Sequence, residues 1–449
     1  MTAIWEEINW DEALDEALVH FKTLIRFKTV NPPGDEKPAA EYLAEVFRKE
    51  GLEPEVLDSA DNRANVICRL RGNGDKPPVL LNGHLDVVPV ERDKWSCDPF
   101  EAIERDGCIY GRGAVDMKNM VTHSAMCLLL LKRAGVALKR DLIFCAVADE
   151  ETGGQYGSQF LVNEHPEKVR AEYSISELGG FPLEMFGTRF YLVQVAEKGA
   201  CWFRIKTIGQ PGHGSIPDSN SALIKAARIA TTLGSKRLPQ HNVEAASRFI
   251  RHLASHLKFP RNIIFKFLLN PAFSNFILDN LIRQKDVARA LAALLHNTAN
   301  PTVIRAGNKS NVIPSEAILE VDGRILPGFT REDLIEEVRA LIGDEAEMEV
   351  MREMTPTESP VQDPIMDLIA EVIASHDPAG LVAPYLVTGI TDATHWKKLG
   401  MKCYGFSPLK LPEGASFQSL LHGHDERIPI EGFRFGLRAL FELVTKLVT

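Results

Sequence analysis

The stretch VLLNGHLDVVPV, residues 79–90, has the composition of a buried strand but carries two polar side chains inside it. Valine and leucine dominate the stretch, and Pro89 closes it, as is typical of a strand end. His84 and Asp86 lie in its middle, although an imidazole and a carboxylate are costly to bury unless something compensates them. Residues two apart share a face of a strand, so we expect the Asp86 carboxylate to hold the second ring nitrogen of His84.

Helices alternate with apolar strands around this stretch. Apolar residues have helical spacing in NWDEALDEALVHFKTLIRFKTV, KPAAEYLAEVFRKEG and MVTHSAMCLLLLKRAG, whereas ANVICRLRG and DLIFCAVADEE have the composition of strands. Such alternation predicts an α/β domain with a largely parallel central sheet that is flanked by helices.

The pattern changes near residue 197 and returns after Thr355. The intervening residues combine long alternating strands with two helices, which predicts a smaller α+β domain. We therefore predict a discontinuous catalytic domain, residues 1–196 and 356–449, that is interrupted by an inserted domain, residues 197–355. Within the insert, residues about 235–305 are mostly helical and apolar on one face. They are interpreted as extra packing or a subunit interface, or else as the wall of an apolar substrate pocket.

The composition excludes several classes of function. The chain has 449 residues and a net charge of −10, which argues against nonspecific nucleic-acid binding. No apolar window reaches the ~20 residues of a membrane-spanning helix, and the acidic N-terminus lacks the features of a signal peptide. Seven scattered cysteines without a CxxC pair indicate a reducing compartment. We expect a cytoplasmic protein with no nucleic-acid or membrane partner.

Acidic and imidazole side chains recur at the ends of predicted strands and in glycine-rich loops. Catalytic and binding groups of open α/β sheets collect at the carboxyl ends of strands, and imidazole and carboxylate groups are ligands of zinc. Adjacent glutamates in an extended turn point in opposite directions, so Glu150 and Glu151 should have different roles. The candidates are His84 and Asp86 in GHLD, Asp116 in GRGAVDMK, Glu150 and Glu151 in ADEETGG, Glu177 in SISELGG, and His422 and His424 in LHGHDERIP.

The order of these motifs resembles a known family. NGHLDVVPV, DGCIYGRGAVDMK, DEETGG, PGHGS, NVIPSEAILEVDGR and HGHDERIP are similar to motifs of the di-zinc metallopeptidases and deacylases, and they span residues 84 to about 430. That family includes aminoacylase-1, carboxypeptidase S, acetylornithine deacetylase and succinyl-diaminopimelate desuccinylase. The resemblance implies a zinc-peptidase-like catalytic domain, an inserted lid/dimerisation domain, and two Zn²⁺ ions per subunit, for which Co²⁺ or Mn²⁺ could substitute.

The resemblance also assigns a role to each metal ligand. Asp116 would bridge the two ions, and the peptide bond that follows it would be cis. His422 is preferred to His424 because the family's ligand is the first histidine of an HGxxE pattern. The terminal ligands would be His84 and Glu177 on one ion, and Glu151 and His422 on the other.

The catalytic and substrate-binding residues follow from the same resemblance. Glu150 would be the general base, with Asp86 orienting His84. His213 would stabilise the oxyanion, often from the partner subunit. Asn311, Arg324 and Gly389 match positions that contact the substrate, and the fork of Arg324 is suited to a carboxylate.

The expected activity is hydrolysis of the amide bond of N-acyl-amino acids or short peptides, which releases an amino acid with a free carboxylate. One alternative is a dipeptidase or carboxypeptidase, and another is a deacylase of the acetylornithine deacetylase or desuccinylase type. A non-enzymatic alternative is an inactive binding homologue on the same scaffold. We expect a homodimer through the inserted domain, with a monomer as the alternative.

Overall fold

The computed structural model describes residues 4–185, 187–412 and 414–449. The strands in these ranges are β1 (Glu55–Ala60), β2 (Arg63–Leu70), β3 (Val79–His84), β4 (Ile103–Arg105), β5 (Cys108–Tyr110), β6 (Leu142–Val147), β7 (Tyr173–Ser176), β8 (Pro182–Met185), β9 (Thr188–Glu197), β10 (Gly199–Ile208), β11 (Gly212–His213), β12 (Thr298–Ala306), β13 (Val312–Ile313), β14 (Glu316–Ile325), β15 (Glu347–Met354), β16 (Thr357–Glu358), β17 (Gly380–Val387), β18 (Lys402–Gly405) and β19 (Arg427–Pro429).

The helices of the same ranges include several of only one or two turns. They are α1 (Ile4–Glu7), α2 (Trp10–Arg26), α3 (Lys37–Lys49), α4 (Lys118–Arg133), α5 (Ser158–Glu164), α6 (Pro166–Val169), α7 (Ala222–Ser235), α8 (Glu244–His256), α9 (Arg261–Phe267), α10 (Pro271–Phe276), α11 (Lys285–Leu295), α12 (Arg331–Ile342), α13 (Pro364–His376), α14 (Ala393–Trp396), α15 (Phe417–Leu420) and α16 (Ile430–Val448). Among the described residues, none of these helices combines the length and the hydrophobicity that a membrane crossing requires.

The chain divides into two compact units. The first unit comprises Met1–Val195, Ser359–Tyr385 and Thr391–Thr449. The second unit comprises Ala196–Glu358 and the short segment Leu386–Ile390.

A large mixed sheet forms the centre of the first unit. Its order begins β1-β2-β6-β3-β7-β18-β9, and the four central strands β6, β3, β7 and β18 are parallel to one another. The predicted α/β class with a parallel sheet centre is therefore confirmed. The pairing at the β1 margin of the sheet is antiparallel. There β1 and β2 form a hairpin across a two-residue turn in which Asn62 has a φ of 54°.

The parallel strands carry the predicted site residues at their carboxyl ends. β3 and β6 are buried along their whole length, as expected for strands that are covered on both faces. β3 ends at His84, so the prediction of one continuous strand over residues 79–90 was wrong and Asp86 lies beyond the strand. Glu150 begins a 3-10 turn instead of the extended turn that we expected, because Asp149 before it has a left-handed φ of 69°.

The second unit contains a four-stranded antiparallel sheet of order β12-β14-β10-β15. Burial alternates along β14, so one face of the sheet packs on helices and the other is more open. Helices α7 and α12 cover the packed face, with Ala226 and Leu334 fully buried against Phe203 of β10. The start of α12 is fixed by a capping box between Thr330 and Asp333. The predicted α+β class of this part is confirmed.

Residues 235–305 are helical only up to Leu295. Helices α8, α9, α10 and α11, together with a π-helical turn at Ile277–Leu281, form most of the segment. From Thr298 the chain forms strand β12 of the four-stranded sheet, so the predicted helical insertion extends too far toward the C-terminus.

Candidate metal centre

Three buried side chains meet at the ends of β3 and β7. Nε2 of His84 lies 3.0 Å from Oδ1 of Asp116 and 3.6 Å from Oε2 of Glu177. The potential donor atoms of these three residues all lie within 4.8 Å of one another. One imidazole and two carboxylates therefore converge on one point.

A second cluster shares Asp116 with the first. Nε2 of His422 lies 3.0 Å from Oδ2 of Asp116 and 3.4 Å from Oε1 of Glu151. Each carboxylate oxygen of Asp116 thus faces a different histidine, which is the arrangement required of a carboxylate that bridges two ions. All five residues that the sequence analysis assigned as ligands are brought together in these two clusters.

The positions and chemical types of the donor atoms fit metal ions. Nδ1 of His84 lies 2.9 Å from the main-chain oxygen of Asp86, so we assign the proton of the neutral ring to Nδ1. Nε2 of the neutral ring then faces a carboxylate oxygen of Asp116, and this contact is favourable only with a proton or a metal ion between the two atoms. The spacings of 3.0 to 3.6 Å are close to the ~3.4 Å that separates two ligands of a tetrahedral zinc ion. Oε1 of Glu151 is also buried without a hydrogen-bond donor among the described residues.

The pKa values of Glu177 and His84 reflect the excess of negative charge in the first cluster. Burial raises the pKa of Glu177 to about 8, although His84 opposes this shift. Burial lowers the pKa of His84, but the charge of Glu177 and a hydrogen bond with Asp116 outweigh burial and raise that pKa well above its usual value. Buried carboxylates that recruit protons in this way are the groups that divalent cations neutralise.

Asp86 connects the end of β3, where His84 lies, to the turn that contains Glu150 and Glu151. Its carboxylate accepts hydrogen bonds from the main-chain N–H groups of Glu150 and Glu151, both at 3.1 Å. Its Oδ1 lies 3.5 Å from Nδ1 of His84, farther than its own main-chain oxygen. Asp86 therefore orients the imidazole chiefly through its backbone, and its carboxylate holds the Glu150–Glu151 turn.

Asn31 is a member of this network that the sequence analysis missed. Its Nδ2 donates to Oδ2 of Asp86 at 2.7 Å and to Oδ1 of Asp149 at 3.1 Å. The available signal was its place directly before two prolines, in NPPGDEK after α2, where a buried polar residue is unusual.

Glu426 fixes the loop that presents Asp116. Its buried carboxylate accepts main-chain hydrogen bonds from Gly113, Val115 and Asp116, at 3.0, 2.8 and 3.2 Å. Arg112 donates to it at 2.7 Å and also reaches the main-chain oxygen of His422 at 3.3 Å. The peptide bond between Asp116 and Met117 is cis, as predicted.

Glu150 belongs to neither ligand cluster. Burial raises its pKa well above the usual value, and the negative charge of Glu177 adds to the shift. A carboxyl group with a raised pKa beside a set of metal ligands has the properties of a general acid or base.

In the second unit, His213 and Asn311 lie at one small two-stranded sheet, formed by β11 and β13. His213 of β11 pairs with Val312 of β13, and the Gly214 N–H donates to the Asn311 main-chain oxygen at 2.9 Å. The Ser215 N–H donates to Nδ1 of His213 at 3.2 Å, which assigns the ring proton to Nε2. The exposed imidazole therefore offers an N–H donor, as an oxyanion requires.

Arg324 and Gly389 lie elsewhere in the second unit. Arg324 is in β14 of the four-stranded sheet, where its Nε and Nη2 donate to the two carboxylate oxygens of Asp322 at 2.7 and 3.0 Å. The fork that we expected to bind a substrate carboxylate is thus occupied by Asp322. Gly389 belongs to the segment Leu386–Ile390, and Val387 of that segment accepts a hydrogen bond from the Lys198 N–H at 3.0 Å.

Comparison with known proteins gives consistent similarities. The sequence profile described as Peptidase family M20/M25/M40 matches residues 80–446. The chain is 29% identical to the N-fatty-acyl-amino acid synthase/hydrolase PM20D1 of Xenopus tropicalis, over 94% of this chain and 84% of that protein. It is 27% identical to aminoacylase-1 of Sus scrofa, over 96% and 94% of the two chains. The fold is similar to the M20 family metallo-carboxypeptidase Sso-CP2 of Sulfolobus solfataricus, with a TM-score of 0.68, 18% identity, and coverage of 96% and 98%.

Proposed function

The chain belongs to the peptidase family M20/M25/M40, and from that membership we propose that it is a di-zinc hydrolase specific for N-acyl-amino acids. It is a metal-dependent hydrolase that acts on the amide bonds of N-acyl-amino acids or peptides. The observation that carries the proposal is the pair of histidine–carboxylate clusters that share Asp116.

We propose N-acyl-amino acids ahead of peptides as substrates. PM20D1 and aminoacylase-1 are both named for N-acyl-amino acids or acyl groups, and each aligns with more than nine-tenths of this chain. A carboxypeptidase or dipeptidase is the second candidate, favoured by the similarity of fold to a metallo-carboxypeptidase.

Zinc is the proposed metal because the donors are imidazole nitrogens and carboxylate oxygens. His84, Glu177 and Asp116 would hold one ion, and Asp116, Glu151 and His422 would hold the other. Bound there, the two ions would polarise the scissile carbonyl group and lower the pKa of the attacking water.

The side chains of the chain itself would move the protons. Glu150 would take a proton from the attacking water and deliver it to the leaving nitrogen. Asp86 would keep Glu150 in place through the hydrogen bond that it accepts from the Glu150 N–H. The Nε2–H group of His213 would stabilise the oxyanion. Asn311 and Gly389 would contact the substrate, as would Arg324 once its guanidinium is released from Asp322.

We propose that the first unit carries out catalysis. The second unit would close over the substrate and form the homodimer contacts. We also propose a cytoplasmic location. Its support is that none of the seven cysteines, all of them in the described ranges, forms a disulfide, and that five of them are buried, which suits a reducing compartment.

A panel of hydrolysis assays at fixed zinc tests the substrate class. The panel contains N-acetyl- and long-chain N-acyl-amino acids, free dipeptides, and peptides blocked at the N-terminus. We expect the highest kcat/KM for an N-acyl-amino acid. If free dipeptides were preferred by tenfold or more, the second candidate would replace the first; if no amide were cleaved by the zinc-loaded protein, the inactive-homologue alternative would be correct.

A further inference from the structure

An exposed aromatic patch lies on the short helices of the second unit. Among the described residues, six large apolar side chains between Phe259 and Leu281 are 43% to 77% exposed. They are Phe259, Ile263, Phe267, Phe273, Phe276 and Leu281. The four phenylalanines alone expose roughly 450 Å², which is the size of the largest apolar patch on a typical monomer.

The helical spacing places these side chains on one surface. Ile263 and Phe267 are one turn apart on α9, while Phe265 of the same helix faces the interior. Phe273 and Phe276 are likewise one turn apart on α10. The rings of Phe267 and Phe273 are in edge-to-face contact, with centroids 5.4 Å apart, so the exposed faces of the two helices are continuous.

The charged residues in the same stretch of sequence are mostly of the opposite sign to the protein as a whole. The chain carries a net charge of −10, yet residues 257–285 contain five cationic side chains and one acidic one. The cations are Lys258, Arg261, Lys266, Arg283 and Lys285, all exposed, and the acid, Asp279, is paired with Arg237 at 2.6 Å. Lys258, Arg261 and Lys266 are within two residues of the exposed Phe259 or Phe267, and we call the five cations together the cationic rim of the patch.

We propose that this patch, residues 257–285, docks on the surface of an anionic lipid bilayer. Aromatic side chains would enter the boundary between headgroups and acyl chains, and the lysine and arginine side chains would contact the lipid phosphates and carboxylates. The cationic rim favours this partner over a second copy of the chain, because two copies of the rim would repel each other. The contact is peripheral, and it differs from our expectation from sequence that the protein has no membrane partner.

Vesicle co-sedimentation tests the proposal on the full-length protein without any assay of activity. The protein is incubated with phosphatidylcholine vesicles, with and without phosphatidylserine, at low and high salt. We expect binding only to the phosphatidylserine vesicles, and weaker binding at high salt because the ionic contribution is screened. Equal lack of binding to both vesicles would overturn the proposal.

Two pairs of substitutions separate the apolar and ionic contributions. Lys258→Glu with Lys266→Glu should weaken binding at least about thirtyfold, since each cation near an anionic leaflet contributes a factor of roughly five. Phe267→Ser with Phe273→Ser should weaken it at least about tenfold. The matched controls, Lys236→Gln and Ile304→Ser, change an exposed cation and an exposed apolar residue outside the patch, and they should bind as wild type does.

The melting temperature and the oligomeric state of each variant are measured alongside. Unchanged melting temperatures with lost vesicle binding support the proposal. If the phenylalanine pair instead converted a dimer to a monomer and left vesicle binding intact, the patch would be an interface between two copies and the proposal would be wrong.

Discussion

At the scale of single residues, Glu150 and Glu151 are neighbours in sequence with different surroundings. Glu151 lies in one cluster with His422 and Asp116, while Glu150 stays outside both clusters. The main-chain N–H groups of Glu150 and Glu151 both donate to the Asp86 carboxylate, so this one group fixes the orientation of both side chains. Substitutions of Glu150 and of Asp86 should therefore have different effects.

Glu150→Gln should lower kcat by about 10²- to 10⁴-fold, because the variant cannot accept a proton but keeps the shape of the side chain. Zinc content should stay at the wild-type level, since Glu150 is not a ligand. The measurements are steady-state kinetics and metal analysis of the purified protein. Glu164→Gln, at an exposed residue of α5, is the matched control, and equal turnover of all three proteins would show that Glu150 is not the base.

Asp86→Asn should weaken zinc binding by about 10- to 100-fold, because the neutral amide holds the Glu150–Glu151 turn and His84 less firmly. Competition with a chromophoric chelator measures the affinity. Asn31→Ala removes one hydrogen bond to the same carboxylate and should have a smaller effect in the same direction. Wild-type affinity in Asp86→Asn would contradict the positioning role.

At the scale of elements, buried polar side chains tie the segment before β19 and helix α16 to the rest of the first unit. Glu426 joins the segment before β19 to the Asp116 loop, and His123 of α4 packs against Phe433 of α16 with ring centroids 4.4 Å apart. Each contact links elements that are far apart in sequence, and each has a measurable contribution to stability.

Glu426→Ala should lower the free energy of unfolding by about 3–5 kcal/mol, because Arg112 would remain buried without its partner. Urea unfolding of the metal-free protein measures the change. Glu45→Ala breaks an exposed pair with Lys49 on α3, and its effect should not exceed about 0.5 kcal/mol. A similar small loss in both variants would contradict a structural role for Glu426.

Stability should depend on pH through His123. Burial lowers the pKa of His123 to about 3, whereas in the unfolded chain it is ~6.5. The unfolded state alone binds the proton between these values, so the contribution to stability is present above about pH 6.5 and is lost as the pH falls toward 3. From about pH 7 to about pH 5, wild type should lose roughly 2 kcal/mol more than His123→Gln. Parallel pH profiles of the two proteins in urea unfolding would contradict this assignment.

At the scale of the whole molecule, metal loading should determine both activity and stability. Removal of the ions with a chelator should abolish hydrolysis, and zinc or cobalt should restore it. The loaded protein should be more stable by about 2.7 kcal/mol when free zinc is 100 times the dissociation constant, because ions that bind only the native state stabilise it. Calorimetry of loaded and metal-free protein measures the shift, and full activity in the metal-free form would contradict a role for the ions.

Much of the fold and the two candidate ligand clusters could be predicted, because short local patterns in the sequence indicate them. Helix α2 was visible as an apolar periodicity and strands β3 and β6 as apolar runs, and His84, Asp116 and His422 lie in short motifs. The hydrogen bond from Asn31 to Asp86 and the ion pair of Arg112 with Glu426 could not be predicted, because the two partners of each contact are distant in sequence.

The errors in the predicted local structure also have physical causes. The end of β3 at His84 was missed because the apolar residues Leu85, Val87 and Val88 continue the strand-like composition. The 3-10 turn at Glu150 was missed because it depends on the left-handed backbone of Asp149, which the sequence does not signal as glycine would.

The spread of the ligands along the chain also sets the order in which the site can assemble during synthesis. The donors of the first cluster are complete once Glu177 has left the ribosome, whereas the second cluster waits for His422, close to the C-terminus. The parallel neighbour of β7, β18, is also translated late. A chain that stops before His422 could therefore hold at most one ion. The pair of ions, and the hydrolytic activity proposed for it, would require synthesis to continue past His422.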